Sequence, residues 1–415
     1  MDRNTTPRWR WLPLEGSWRY HLLLAVAGMF VLGPLAGVTA AYMNFSLGFF
    51  VGGQVLAGLL GSAVTAGYGA AGRHGANYIQ TAAASVASMS GLGVLLQAMA
   101  WMGLPQPPAW QMVLYLTCVG MFGVGVGMLY TPVLVDRMQL TFPSGLAVAN
   151  ILRALTDPDL LRRSVKQLGG GAAVGLASGL ATSRLPLLGA IELSASTFGA
   201  GMVIGARIGI PAVVGGLIGV GLKACYVRIG WRLGTPRVLQ FRYQVLGILM
   251  GATMAVVFAR LFMAAYPVLL QDQTVMKADQ QPAEWASAMT YKLVGVLRGL
   301  TDEMPYQRSA IAIGVAAGAV IEVLRKWLRP RSFVLDAIVL PSPYALSFGG
   351  FVNLPTSLWL GAGGVAGSLL DARGARRRDL PPDMGIASLF GGGLIAGDAL
   401  AAVGIGIASL LAALI

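Results

Sequence analysis

Ionisable side chains inside long apolar stretches are costly in lipid and point to function by default. This chain carries few of them. Glu192 lies in an apolar, glycine-containing segment with no sequence-adjacent cation to neutralise it. Asp398 directly follows a glycine-rich run, and Arg207 follows a second run of the same kind. At the interval that relates the two runs, Arg207 falls next to the position of Asp398. The pair is expected to sit close together, as a buried ion pair or as a gate linked to proton movement. Glu192, Asp398 and Arg207 are therefore the candidate proton-coupling and gating residues. A second, uncharged set is Asn77, Gln80, Thr81, Ser85 and Ser88. Positions 77, 81, 85 and 88 share one helical face, which either lines a substrate path or hydrogen-bonds neighbouring helices.

Other chemistries lack their residues. No GxxxxGK[ST] loop exists, so ATP-driven transport by this chain alone is not expected. There is no HExxH, and His21 and His74 fall at a span edge and in a loop, where neither serves a serine nucleophile. Cys118 and Cys225 have no metal-ligand spacing. The sequence thus predicts no enzyme, no resident metal and no cofactor.

The elements that position these residues follow from composition. The chain has 415 residues, of which 56% are hydrophobic and 11% charged, against about 25% charged in soluble domains. Mean hydropathy is +0.68. Apolar runs of about 20 residues match helices crossing roughly 30 Å of hydrocarbon, and the alternation of an outer-membrane barrel is absent. The net charge is +13, but the basic residues sit in short loops, as the positive-inside rule requires, so nucleic acid is not an expected partner. The fold class is all-α, a polytopic helical membrane protein with about 10–12 transmembrane helices.

Residues 1–19, with Arg3, Arg8, Arg10 and Arg19 among Trp9, Trp11 and Trp18, read as an interfacial, cytoplasmic N-terminus in the inner membrane. A first transmembrane half covers 20–228 and a second 244–415. Spans are expected near 20–43, 45–68, 77–101, 110–134, 168–184, 206–226, 244–270 and 306–324, with another ending near 370. The stretch 135–167 reads as a cytoplasmic loop and 271–305 as an acid-rich outer loop. Residues 186–204 read as a re-entrant half-helix pair. The final stretch, 382–415, reads as a half-helix broken at Gly391-Gly392-Gly393 plus one span.

Self-comparison finds one internal match, at an offset of 192 residues. ASTFGAGMVIG at 195–205 aligns with ASLFGGGLIAG at 387–397, and LGGGAAVG at 168–175 with LGAGGVAG at 360–367. Basic residues after 370 and their near absence after 184 suggest opposite orientations, hence two inverted structural repeats. Secondary transporters place substrate where such glycine-interrupted segments meet. That adds Ser196, Thr197, Gly199, Gly201 and Gly393 to the candidate substrate residues. Gly171, Gly175 and Gly179 recur every four residues and read as helix packing. Glycine-rich faces also make a homodimer plausible.

Four stretches together resemble the oligopeptide transporter family, and more narrowly its yellow-stripe-like branch: NYIQTAAAS at 77–85, TFPSGLAVANIL at 141–152, STFGAGMVIG at 196–205 and GGLIAGDAL at 392–400. The resemblance implies proton-driven import of peptides or peptide-like metal chelates, and it carries Asp398 over as a functional acid. The chain is shorter than many relatives, and Ser144 stands where peptide-transporting relatives often have an acid, which leans towards chelates. The Pro143-Ser144-Gly145 turn suits the start of a helix whose N-terminus attracts a substrate carboxylate. The expected partners are a small-molecule or short-peptide substrate, protons and the bilayer. A passive pore and a non-transporting subunit are the alternatives.

Overall fold

A computed structural model describes residues 12–46, 53–132, 158–185, 193–218, 237–276, 287–301, 305–328, 354–374 and 385–414, with positions 9, 145, 148–149, 151–153, 187–188, 191, 285, 334, 339–343, 345–346 and 349. Among the described residues the fold is 89% helical without strands. Its helices are α1 (Trp18–Ser46), α2 (Gly53–Thr65), α3 (Gly72–Trp101) and α4 (Ala109–Thr131). They continue as α5 (Pro158–Arg184), α6 (Ala195–Ile204), α7 (Ala206–Ile218) and α8 (Arg237–Ala265). The last are α9 (Ala288–Thr301), α10 (Pro305–Leu328), α11 (Leu354–Gly374) and α12 (Ile386–Leu414).

Five described helices are long and apolar enough to cross a bilayer: Trp18–Ser46, Gly72–Trp101, Ala109–Thr131, Leu239–Ala265 and Ile386–Ala412. The chain is an integral membrane protein. Local chemistry sets several helix ends. Ser17 caps α1, its Oγ accepting from the Tyr20 N–H at 3.2 Å. Gly205, at φ 76° and ψ 174°, ends α6 in a conformation that costs other L-residues about 1–3 kcal/mol. Pro305 opens α10, where its missing N–H costs no helical bond.

The helices form two bundles. In the first, α3 is central and α4 peripheral: 78% of the apolar stretch of α3 is buried but only 17% of that of α4. Most of α4 is left uncovered by the rest of the chain, and Phe122 and Leu129 stand exposed. Large side chains fill this bundle, among them Phe45, Met89, Leu116, Ile248, Phe258 and Phe262. The second bundle contains α5, α6, α7, α11 and α12. A third cluster joins them, with Val55 and Ala76 meeting Val148, Ile151 and Leu152, and Leu168 and Ile395 of the second bundle.

Several expectations need correction. The second part of the supposed loop 135–167 is helix, since α5 begins at Pro158. The outer loop 271–305 contains α9. The boundary expected between 204 and 206 is found at Gly205, between α6 and α7. The glycine run 391–393 breaks nothing, because α12 is one helix of 29 residues. A glycine costs a helix interior roughly 1 kcal/mol, and here close backbone packing against α5 and α6 offsets that cost.

Candidate functional site

The internal match governs how the second bundle packs. A Cβ on Gly171 would strike the Phe390 carbonyl, and one on its equivalent Gly363 would strike the Phe198 carbonyl. Gly175 faces Leu394 O as Gly367 faces Met202 O, and Gly393 faces Leu168 O as Gly201 faces Leu360 O. Every pair is related by the 192-residue offset with the copies exchanged. Reciprocal contacts of this kind define a two-fold axis. A Cβ on Gly199 would come 2.5 Å from Gly391 O, and one on Gly391 2.7 Å from Gly199 O. These two are equivalent positions, so the axis passes between them. With no water to expel between helices in lipid, such backbone approach supplies the packing. Gly171, Gly175 and Gly179 do pack α5 on α12, as their spacing predicts.

Asp398 lies at this interface. Its carboxylate is buried, at 9% exposure, and its Oδ2 accepts from the Ser196 N–H at 3.0 Å. Ser194 caps α6, its Oγ accepting from the Thr197 N–H at 3.2 Å and from the Thr197 hydroxyl at 2.9 Å. The Ser194 and Ser196 hydroxyls are 3.0 Å apart. Ser196 and Thr197 are buried, at 0% and 1% exposure. The arrangement is a buried helix N-terminus whose Ser196 and Thr197 N–H groups meet the Asp398 carboxylate and the Ser194 hydroxyl. It can bind or exchange a proton, and it can hold an anionic group whenever the aspartate yields its place.

The expected pair of Arg207 with Asp398 is not formed. Arg207 is exposed on α7, and Asp398 spends its hydrogen bond on α6. The reason is geometric: near-equivalent positions related by a two-fold lie across the axis from each other, and only those on the axis touch. Gly199, Gly201 and Gly393 sit in the same interface as Asp398. Glu192 and Ser144 lie outside the described residues.

The polar residues of α3 belong to the first bundle. Asn77, Gln80, Thr81 and Ser85 are all buried. Thr81 Oγ1 accepts from Gln240 Nε2 of α8 at 3.3 Å, and Ser85 donates back to the Thr81 carbonyl at 2.8 Å. Ser88 is exposed. Gln80, at 1% exposure, has no hydrogen-bond partner for its Oε1 among the described residues, and its side chain faces Gly58 of α2 beside Val148 and Leu152. The two sets of site residues therefore do not form one cluster. They are linked through Ala76, next to Asn77, which shares a buried cluster with Ile395 of α12.

Sequence reasoning overlooked a buried polar network between α3 and α9. Gln97 donates to the Leu269 carbonyl and Ser287 Oγ, each at 2.9 Å, and accepts from Thr290 Oγ1 at 2.6 Å. Ser287, at φ 42°, turns its N–H and its hydroxyl towards the Phe45 carbonyl, each at 3.1 Å. At the edge, Arg298 pairs with Asp272 at 2.7 Å. Burial opposes the charge on Asp272, but hydrogen bonds from Thr274 and Arg298 outweigh it and hold the carboxyl below its ordinary value. The one available signal was a glutamine, Gln97, within an otherwise apolar span.

Comparison with known proteins gives this architecture a family. A protein of Haemophilus influenzae named as a candidate oligopeptide transporter is 26% identical over 170 residues, covering 36% of this chain and 26% of its own length. The chain thus spans about a quarter of that relative. The family model for OPT oligopeptide transporter proteins matches residues 21–231 and 227–409. Those two matches take in both bundles and nearly the whole chain, which belongs to the OPT oligopeptide transporter family.

Proposed function

We propose that the protein is a secondary active transporter of the inner membrane, with a cytoplasmic N-terminus, that imports oligopeptides or peptide-like metal chelates together with protons. The observation that carries this reading is the buried start of α6, where Asp398, Ser194, Ser196 and Thr197 converge at the interface of two repeats. A carboxylate in that setting is a proton carrier of the kind membrane transporters use. The Ser196 N–H it now occupies suits the carboxylate of a peptide or of an amino-acid-derived chelator. Opposite membrane orientation of the two repeats would let the interface open to each side in turn.

The test is uptake into proteoliposomes under an imposed inward proton gradient, comparing labelled trialanine with a labelled iron–chelator complex. Accumulation of one of them, abolished by a protonophore, is the expected result and names the substrate class. Flux that merely equilibrates and ignores the gradient would establish a passive pore instead. Inhibition by unchelated iron alone would count against the chelate.

A further inference from the structure

One repeat position takes two conformations in this molecule. Gly205 ends α6 at φ 76° and ψ 174°, whereas its 192-residue equivalent, Gly397, lies inside the unbroken α12. α6 and α7 are thus two pieces of a segment that the other copy keeps whole. The residues facing the two glycines differ as well. Gly205 meets Gly364 and Ser368 of α11, while Gly397 meets the equivalents of those positions on α5, Ala172 and Leu176. A Cβ on Gly397 would strike the Ala172 carbonyl and come 2.7 Å from the Leu176 nitrogen.

At Gly205 both replacements serve the break. An unbroken helix would pair the Ala206 N–H with the Met202 carbonyl four residues back. Here that N–H donates to Ser368 Oγ at 2.9 Å, and Leu176 offers no such acceptor in the other copy. The Gly205 carbonyl opens α7 by accepting from the Gly209 N–H at 3.0 Å. It lies where a Cβ on Gly364 would come within 2.8 Å, so an alanine there, as at 172, excludes it. The bent form uses a glycine at 364 and a hydroxyl at 368. The straight copy has neither.

We propose that Gly205 is a hinge: α6 and α7 alternate between the bent form and the straight form that α12 displays, with Gly364 and Ser368 as the cradle that holds the bend. Little separates the two in energy. Bending exchanges one helical hydrogen bond for one to a serine hydroxyl, and glycine reaches φ 76° without the steric penalty of a Cβ. Hinges elsewhere absorb such backbone changes at element termini in the same way. α7 is seated on α11, with Gly209 against Leu360 and Gly361. Straightening therefore swings α6 and carries the Ser196 N–H away from Asp398 Oδ2, which it meets at 3.0 Å in the bent form. Release of that carboxylate is the link to transport and rests on the transport reading above. The existence of the two forms does not.

The experiment gives α11 the residues of the other copy. Spin labels on Ile191 and Leu217, both exposed, report the distance across the hinge by pulsed electron resonance. The background carries Cys118→Ser and Cys225→Ser, and the protein sits in lipid nanodiscs without substrate. Gly364→Ala/Ser368→Leu should replace the wild-type distance by a longer one in monodisperse protein. Ser368→Ala should show both distances and favour the longer about fivefold more than wild type does, the worth of one net hydrogen bond. A monodisperse double variant that keeps the wild-type distance would overturn the proposal. If the double variant aggregates, Ser368→Ala decides: a longer component supports the hinge, and the wild-type distance alone overturns it.

Uptake then tests the link to transport, with whichever of labelled trialanine and the iron–chelator complex the wild type carries. The straightened variant should lose about tenfold in uptake, as a protein held in one of two required forms must. Undiminished uptake by straightened protein would overturn the hinge as a step in transport. Wild-type protein that carries neither compound would sink the transport reading alone, because the distances are read without substrate.

Discussion

The two bundles combine backbone and side-chain contact in different proportions. In the second, backbone contact dominates: glycines of α5, α6, α11 and α12 meet the carbonyls of partner helices, with Phe198, Phe390 and Leu394 packed beside them, whereas in the first such approach recurs at fewer places, such as Gly247 against the Ala82 carbonyl. In the first, Phe45, Phe258 and Phe262 fill the space between helices, and the Gln97 network pins the edge. The contrast teaches where each bundle tolerates change. A glycine interface has no rotamers with which to absorb an added atom, whereas an aromatic core can repack.

The largest expected effect sharpens that contrast. Gly393→Val and its equivalent Gly201→Val each drive side-chain atoms into a backbone carbonyl, of Leu168 and Leu360 respectively. Both should lose folded, monodisperse protein on size exclusion. Phe262→Leu in the first bundle should cost only about 1–2 kcal/mol and leave a sharp peak. Equal behaviour of the glycine and phenylalanine variants would dissolve the distinction.

Next comes Gln97→Leu, which strands the Thr290 hydroxyl among apolar neighbours and takes a donor from the Leu269 carbonyl and Ser287. Its cost should be about 1–3 kcal/mol, read as a lower thermal midpoint. No change would mean that the network contributes nothing to holding α9.

A smaller effect separates two reasons for glycine within one repeat position. Gly205→Ala meets only Ser368 Oγ at 3.3 Å but must adopt φ 76°, so its cost should be about 1–3 kcal/mol. Gly397→Ala has helical backbone but strikes the Ala172 carbonyl and should lower the midpoint further. The reverse order would contradict the packing described.

The smallest effect is that of Arg298→Ala, about 1 kcal/mol, since the pair with Asp272 is partly exposed. The folded Asp272 carboxyl titrates below its ordinary value. Its contribution is therefore complete above about pH 4 and fades as pH falls through the lowered folded value. The midpoint difference between wild type and Arg298→Ala should accordingly shrink on acidification. A difference that grows would reverse the sign assigned to this pair.

The all-helical membrane class and the repeat were legible because apolar length and a fixed offset survive without coordinates. The packing role of Gly171, Gly175 and Gly179 was legible too, from spacing alone. Asp398 could be picked out as a buried acid, yet its partner could not. An alignment offset says which positions are equivalent, and only the location of the axis says which ones touch. Gly391–Gly393 misled for a different reason, because a glycine that permits a break and one that permits contact are the same residue. The α9 network was hidden by acidic residues around it, which made 271–305 resemble a solvated loop, and Ser194 carried no mark of a cap until the start of α6 was known.

Gly199 and Gly391 face one another across the symmetry axis, and that places an unusual restriction on how this chain can diverge. Elsewhere a mutation in one copy meets a different residue of the other, and the two copies are free to drift apart. On the axis a position meets its own counterpart. A larger residue in one copy is accommodated only if the other stays small, and the same change in both doubles the bulk at one point. Lineages descended from this chain should therefore differentiate first at positions off the axis, as Asp398 against its equivalent Ala206 already illustrates, and last at the axis.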